Sequence, residues 1–197
     1  MNNAELFRLT QDLDIGFTSG RNNPWTILNR GSGAGFRHAF DRSYPTHTLL
    51  RTSEEHQVMA TELTEDGIEE DSMMKYIRDG KNGKLLDIYR FKGWTAETVL
   101  AAKKHLAELR QIDAPYSFWE AIGKNKVIRK LFPRLTSRHN KTRMTCDENV
   151  FTVHRDFGGW TGYPMVWDID SRLFHPTTLR NVIRADKQFK LVYSSCA

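Results

Sequence analysis

The sequence lacks any apolar run of the roughly 18 residues that a membrane-spanning helix requires. Polar and apolar residues alternate irregularly over its first ten positions, with no hydrophobic stretch of the kind found in secretory signals. No internal repeat or low-complexity tract is present either, which argues against a solenoid or a long disordered segment. We therefore expect one folded domain over residues 1–197, located in the cytoplasm and without integral membrane association.

Cysteine is also scarce, with only Cys146 and Cys196 in the chain. A disulfide from mid-chain to the penultimate residue would be unusual in a cytosolic protein, so we interpret both as thiols. The histidines and cysteines show no spacing typical of a metal site. The segment GSGAG at 31–35 lacks the Lys-Ser/Thr ending of a phosphate-binding loop. We expect neither a metal nor a cofactor.

Acidic and basic residues cluster in two separate segments of the sequence. The net charge is +5, yet residues 54–71 hold eight acids and no Lys or Arg, whereas residues 124–143 hold eight bases and no acid. Solvated faces are the simplest interpretation of both blocks. Because Phe118, Trp119 and Phe132 lie beside or within the basic block, a nucleic-acid-binding module is an alternative.

The pattern of apolar residues and turn signals predicts an α+β fold, with about five to six antiparallel strands packed against helices. Four strands from residue 46 to 91 are expected to form an antiparallel meander. The predicted strands are 13–18, 46–51, 57–63, 67–70, 84–91 and 188–193. The predicted helices are 95–110, 117–122, 125–131, one that starts at 146 and stops at a Gly-Gly pair at 158–159, and 177–185.

The helix that starts at residue 146 carries a candidate nucleophile. Thr145 and Glu148 have the S/T-x-x-E spacing of a capping box, which places Cys146 at the first helical position. The positive end of a helix favours the thiolate form, and its N–H groups can hold the oxyanion of a tetrahedral intermediate. A buried, inert cysteine that follows an N-cap is the alternative.

A general base for this thiol is predicted from a hairpin. If the strands 46–52 and 57–63 are joined by a four-residue loop at 53–56, His47 lies directly opposite Glu62 on one face. Opposed side chains have Cβ atoms about 5 Å apart, so the carboxylate can orient the imidazole. Cys146, His47 and Glu62 would then form a catalytic triad. A cross-strand pair on the surface is the alternative.

Five short motifs follow one another along the chain: DIGFTSG at 14–20, THTL at 46–49, TEL at 61–63, DAPY at 113–116 and TCDENV at 145–150. In this order they resemble the circularly permuted papain-like hydrolases of the NlpC-type superfamily, in particular the YiiX-like branch. The resemblance covers about residues 12–183. Two departures are Gly16, which interrupts the first strand, and Asp147, where the motif has serine.

The resemblance implies a papain-like, NlpC-type fold in permuted order, with the histidine strand before the cysteine helix. It implies Cys146 as the nucleophile, His47 as the base and Glu62 as the third polar residue. It also implies that Tyr116 lines the site and helps to hold the oxyanion. We assign Thr145 and Asp147, which flank the nucleophile, to substrate binding together with Tyr116.

The leading functional hypothesis is a thiol hydrolase that cleaves a peptide, isopeptide, peptidoglycan-type amide or ester through an acyl-enzyme. A lipid acyltransferase or thioesterase of the lecithin–retinol acyltransferase-like type is the nearest alternative, since that group also has histidine before a Cys-Glu motif. A non-catalytic module that binds nucleic acid or peptides is the alternative from another class. We expect an acyl-containing or peptide-like substrate and rank nucleic acid below it.

Overall fold

The computed structural model describes residues 1–20, 26–27, 30, 35–54, 57–64, 67–78, 83–111, 145–161 and 175–195. The strands are β1 (Ile15–Ser19), β2 (His47–Glu54), β3 (Gln57–Thr64), β4 (Gly67–Ser72), β5 (Lys84–Phe91) and β6 (Phe189–Ser194). The helices are α1 (Asn3–Leu9), α2 (Lys75–Arg78), α3 (Ala96–Gln111), α4 (Cys146–Asp156) and α5 (Pro176–Ala185). The strands form one six-stranded sheet, all pairs antiparallel, in the order β4-β3-β2-β1-β5-β6. The predicted α+β class and antiparallel sheet are confirmed.

A meander of four consecutive strands was predicted, and the prediction is wrong for the fourth strand, β5. β2, β3 and β4 are consecutive neighbours, but β5 pairs with β1 and β6 and not with β4. The reason lies in the side chains, because β5 is buried along almost all of its length and needs a neighbouring strand on both sides. β4 has the sequence GIEEDS, and acidic residues suit an edge strand because they discourage further pairing.

The hairpin register also differs from the prediction. β2 and β3 pair at Leu50↔Thr61 and remain paired as far as Glu54↔Gln57, so the four-residue loop at 53–56 is wrong. The pairing is displaced by two residues, and His47 is therefore diagonal to Glu62 and not directly opposite it. Since side chains alternate between the faces of a strand, a displacement of two leaves both residues on the same face.

The sheet is covered on both faces by apolar packing. Leu50 belongs to a core that includes residues of β1, β5, α3, α4 and α5, such as Phe17 and Val150. Its neighbour Leu49 belongs to a second core, which includes Leu6 of α1 and residues around α2. Adjacent strand residues point to opposite faces, so β2 lies between two buried layers and its position is fixed from both sides.

Gly16 interrupts the apolar sequence of β1 because the second core leaves no room for a side chain at this position. A Cβ atom at Gly16 would lie 2.5 Å from Leu49 Cδ1 and 3.3 Å from Met73 Cε. Gly16 is the cross-strand partner of Leu49, so the absent side chain makes room for the leucine. The glycine thus allows β1 and β2 to pair at the end of the sheet that carries His47.

Several elements fall outside the predictions. The short α2 was not expected, and neither was α1, although Asn2 and Glu5 form a capping box that is visible in the sequence. The predicted helices 117–122 and 125–131 and the basic block 124–143 lie outside the described residues. Within the described ranges, no helix has both the length and the apolar character needed to cross a bilayer.

Candidate active site

Cys146 is the first residue of α4, as its capping box predicts. Thr145 is the N-cap, and Glu148 Oε2 accepts hydrogen bonds from the Thr145 backbone N–H at 2.8 Å and from its hydroxyl at 2.9 Å. Val150 and Val153 anchor the same helix in the core beside β1. A rigid, capped helix therefore holds the sulfur at its positive end, where the dipole favours an anion.

His47 is the first residue of β2 and lies near the same point. Its backbone is fixed by pairing with Thr18 of β1, and its side chain is 24% exposed. Cys146 is among the groups that raise the pKa of His47, so its side chain lies close to the imidazole. Its Nε2 donates to Glu62 Oε2 at 2.8 Å, which leaves Nδ1 as the ring nitrogen able to exchange a proton with the sulfur.

Glu62 lies in β3 and is almost fully buried, with 5% of its side chain exposed. The sequence-based choice of this residue depended on a register that is wrong, yet the structure brings Glu62 and His47 into contact. The pair forms across a diagonal of the sheet, within reach of a long side chain. Cys146, His47 and Glu62 thus lie in one chain of interacting side chains.

The charges of His47 and Glu62 stabilise each other. Burial alone would lower the pKa of His47, but the charge and hydrogen bonding of Cys146 and Glu62 outweigh burial and raise that pKa to about 10. Burial alone would raise the pKa of Glu62, but His47, the Tyr76 hydroxyl and the Lys75 ammonium together lower it to about 2. At neutral pH the imidazole is therefore a cation, and the Glu62 carboxylate is its anionic partner.

Of the three predicted substrate-binding residues, the structure describes two. Thr145 and Asp147 are both buried beside Cys146, and Asp147 Oδ1 lies 3.9 Å from Cys146 Sγ. The structure thus places them next to the sulfur, and their contact with a substrate stays a prediction. Tyr116 lies outside the described residues, as does Cys196.

Two residues of this cluster were missed by the sequence analysis. Tyr76 donates its hydroxyl to Glu62 Oε2 at 2.6 Å, and Lys75 Nζ lies 2.9 Å from Glu62 Oε1. Both belong to α2, a four-residue helix that is too short to show a helical period. No motif singled them out, and only the tertiary structure brings them to the carboxylate.

Comparison with known proteins gives a structural likeness. No protein-family model matches the chain, and no curated protein matches it in sequence. The fold is similar to the crystal structure of the metalloprotein YiiX from Escherichia coli O157:H7, with a TM-score of 0.57 and 15% sequence identity. The match covers 95% of this chain and 98% of YiiX.

The chain has a YiiX-like fold. At this identity the likeness concerns the fold alone, so it confirms the YiiX-like part of the resemblance. The wider papain-like and NlpC-type assignment, including the permuted order, stays a prediction.

Proposed function

We propose that this chain is a thiol hydrolase that cleaves an amide or ester bond through a covalent acyl-enzyme. The observation that carries the proposal is an imidazole whose Nε2 lies 2.8 Å from a buried carboxylate and whose pKa is raised by Cys146, the first residue of α4. A nucleophile, a base and a group that orients the base are the parts that such chemistry requires. The proposed mechanism is of the papain-like type, the family that the sequence motifs resemble.

In the first half-reaction, the Cys146 thiolate attacks the carbonyl carbon and forms a C–S bond, while the carbonyl oxygen becomes an oxyanion. N–H groups in the first turn of α4 are the donors expected to stabilise that charge, and the predicted role of Tyr116 would add to them. The intermediate then collapses and the bond to the leaving amine or alkoxide breaks. His47 donates its proton to that leaving group, and a thioester remains on Cys146.

In the second half-reaction, water attacks the thioester. His47, now neutral, takes a proton from the water as the C–O bond forms. Collapse of the second tetrahedral intermediate breaks the C–S bond, which releases a carboxylic acid and restores the thiolate and the imidazolium. Glu62 keeps its negative charge throughout and orients the ring in both steps.

Neither half-reaction is assigned to a metal. YiiX is described as a metalloprotein. Among the residues that the structure describes here, no group of three or more His, Cys, Asp or Glu side chains is arranged to hold a metal ion. The Glu62 carboxylate is instead occupied by His47, Tyr76 and Lys75. These residues do not fit a metal, so the proposed chemistry is carried by side chains alone.

The proposal is tested by labelling the full-length chain with iodoacetamide or an electrophilic acyl probe and locating the adduct by mass spectrometry. We expect Cys146 to react at least about tenfold faster than Cys196, because Cys146 has an imidazolium neighbour and lies at a helix N-terminus. His47→Ala should remove this difference. Labelling of Cys146 no faster than of Cys196 would overturn the proposal.

A panel of chromogenic amide and ester substrates, each with and without an alcohol or amine acceptor, then defines the reaction. Release of free acid supports the hydrolase, whereas transfer of the acyl group to the acceptor identifies the acyltransferase alternative. Activity that persists in Cys146→Ala would contradict both the hydrolase and the acyltransferase. Salt-dependent binding of oligonucleotides, unchanged in Cys146→Ala and without any labelling at Cys146, would favour the nucleic-acid module instead.

A further inference from the structure

The short helix α2 makes contacts with Glu62 that the triad itself does not require. Glu62 Oε2 accepts two hydrogen bonds, from His47 Nε2 at 2.8 Å and from the Tyr76 hydroxyl at 2.6 Å. Its other oxygen, Oε1, lies 2.9 Å from Lys75 Nζ. Both carboxylate oxygens are thus engaged, and two of the three partners come from α2.

These contacts meet a specific electrostatic need. Glu62 is buried, and its cross-strand partner on β4 is Glu69, so a like charge is placed directly opposite it. A buried carboxylate is costly unless it is paired and hydrogen-bonded. The charged and titratable groups around it are His47 from β2, Cys146 from α4, Glu69 from β4, and Lys75 and Tyr76 from α2.

Lys75 is itself held in place. Its ammonium lies 3.2 Å from Asp71 Oδ2 as well as 2.9 Å from Glu62 Oε1. The two carboxylates raise the pKa of Lys75 against the opposing effect of burial, so the ammonium stays charged. Charges therefore alternate from the imidazole outward: His47, Glu62, Lys75 and Asp71.

We propose that Lys75 and Tyr76 are positioning residues, which hold the Glu62 carboxylate ionised and correctly oriented so that it directs His47 towards Cys146. This inference rests on the proposed function. Three contacts on two oxygens fix the plane of the carboxylate, where His47 alone would leave it free to rotate. Lys75 also gives Glu62 a cationic partner during the part of the cycle in which His47 has given up its proton. In this scheme neither Lys75 nor Tyr76 contacts the substrate that Cys146 attacks.

The first test compares Tyr76→Phe and Lys75→Met with wild type. We expect each to lower kcat about tenfold while KM changes less than about twofold, since neither residue binds substrate. Tyr89→Phe and Lys103→Met are matched controls, because Tyr89 lies in the other core and Lys103, on α3, pairs with Asp12 away from Glu62. Both controls should keep the wild-type kcat.

A second readout is independent of catalysis. With 13C-labelled glutamate, the Glu62 carboxyl signal is identified by its loss in Glu62→Gln. We expect that signal to begin titrating at a higher pH in Tyr76→Phe and in Lys75→Met than in wild type, because each change removes a group that stabilises the ionised form. A purely structural role of α2 would lower the melting temperature and leave this titration unmoved.

A double-mutant cycle shows whether the effect passes through Glu62. In the Glu62→Gln background, which has already lost the carboxylate, the addition of Tyr76→Phe should change kcat less than about twofold. A full additional loss would show that Tyr76 acts by another route and would overturn the proposal.

The failure of this inference is distinguishable from that of the proposed function. If Cys146 labels rapidly but both α2 variants retain wild-type kcat and titration, the hydrolase stands and the positioning role is wrong. If wild-type Cys146 is unreactive, the hydrolase is wrong, and the carboxyl titration still decides whether Lys75 and Tyr76 hold Glu62 ionised.

Discussion

Two histidines of this protein, His47 and His154, have opposite electrostatic surroundings. His154 lies on α4, two turns after Cys146, and its side chain is fully buried. Its Nδ1 donates to the Val150 carbonyl at 2.9 Å, and its ring packs against Phe91 and Trp94 with centroids 5.9 and 5.1 Å away. Burial lowers the pKa of His154 to about 4, whereas the partners of His47 raise its pKa to about 10.

The difference shows that burial does not decide what a histidine does here. Burial opposes the charged form of both rings. His47 nevertheless becomes a cation because Cys146 and Glu62 are its neighbours, whereas His154 is surrounded by aromatic rings and a carbonyl group and stays neutral. The same residue type thus serves chemistry in one region and packing in the other, and the neighbouring charges determine which.

The largest expected effect separates the two histidines by substitution. We expect His47→Gln to lower kcat/KM by roughly 10²–10⁴-fold, because it removes the proton donor and acceptor. We expect His154→Gln to retain kcat/KM within about threefold but to lower the free energy of unfolding by about 1–3 kcal/mol, because it disturbs buried packing. Substrate kinetics and urea unfolding measure both quantities. An equal loss of activity in the two variants would show that the effect comes from the fold.

The sequence alone led to much of this site because its signals are local. The capping box at Thr145 and Glu148 fixes where α4 begins, so the position of Cys146 follows from four consecutive residues. The choice of Glu62 survived a wrong register because the error was two residues, which preserves the face of a strand. A displacement of one residue would have turned the carboxylate away from His47.

What the sequence did not reveal depends on contacts between distant segments. The pairing of β5 with β1 joins strands that are far apart in the chain, and no local pattern encodes that neighbour. Lys75 and Tyr76 belong to a helix of four residues, whose orientation is set by packing against the second core. Their contact with Glu62 is therefore visible only after the sheet and its flanking layer have assembled.

The second prediction concerns stability against pH. Between the ordinary pKa of 6.5 and the folded value of about 4, the unfolded chain binds a proton at His154 and the folded chain does not. Stability is therefore lost as the pH falls through this window, by roughly 3 kcal/mol for this group. Urea unfolding at pH 7, 5.5 and 4 measures the loss.

The matched variant for this measurement is His154→Gln, which lacks the titrating ring and should show a smaller decrease over the same pH range. His47 has the opposite sign, because its raised pKa gives a contribution that is complete below pH 6.5 and is lost as the pH rises through about 10. Parallel pH profiles for wild type and His154→Gln would show that His154 is not the group responsible.

The smallest expected effect involves Asp147, the residue that follows Cys146. Asp147 Oδ1 lies 3.9 Å from Cys146 Sγ, and at this distance like charges repel each other. We expect Asp147→Asn, which keeps the side-chain shape, to speed alkylation of Cys146 by iodoacetamide about three- to tenfold at neutral pH. Asp156→Asn, at the far end of α4, is the control and should leave the rate unchanged.

The same variant separates two roles of Asp147. Iodoacetamide is small and reports chiefly on the state of the sulfur, whereas KM for a peptide or ester substrate reports on binding. If Asp147 only opposes ionisation, Asp147→Asn reacts faster with iodoacetamide and keeps its KM. If it also contacts substrate, as its position beside the nucleophile predicts, KM rises in the same variant. A rate of alkylation equal to or below that of wild type would mean that the charges around His47 and Cys146, and not Asp147, set the reactivity of the thiol.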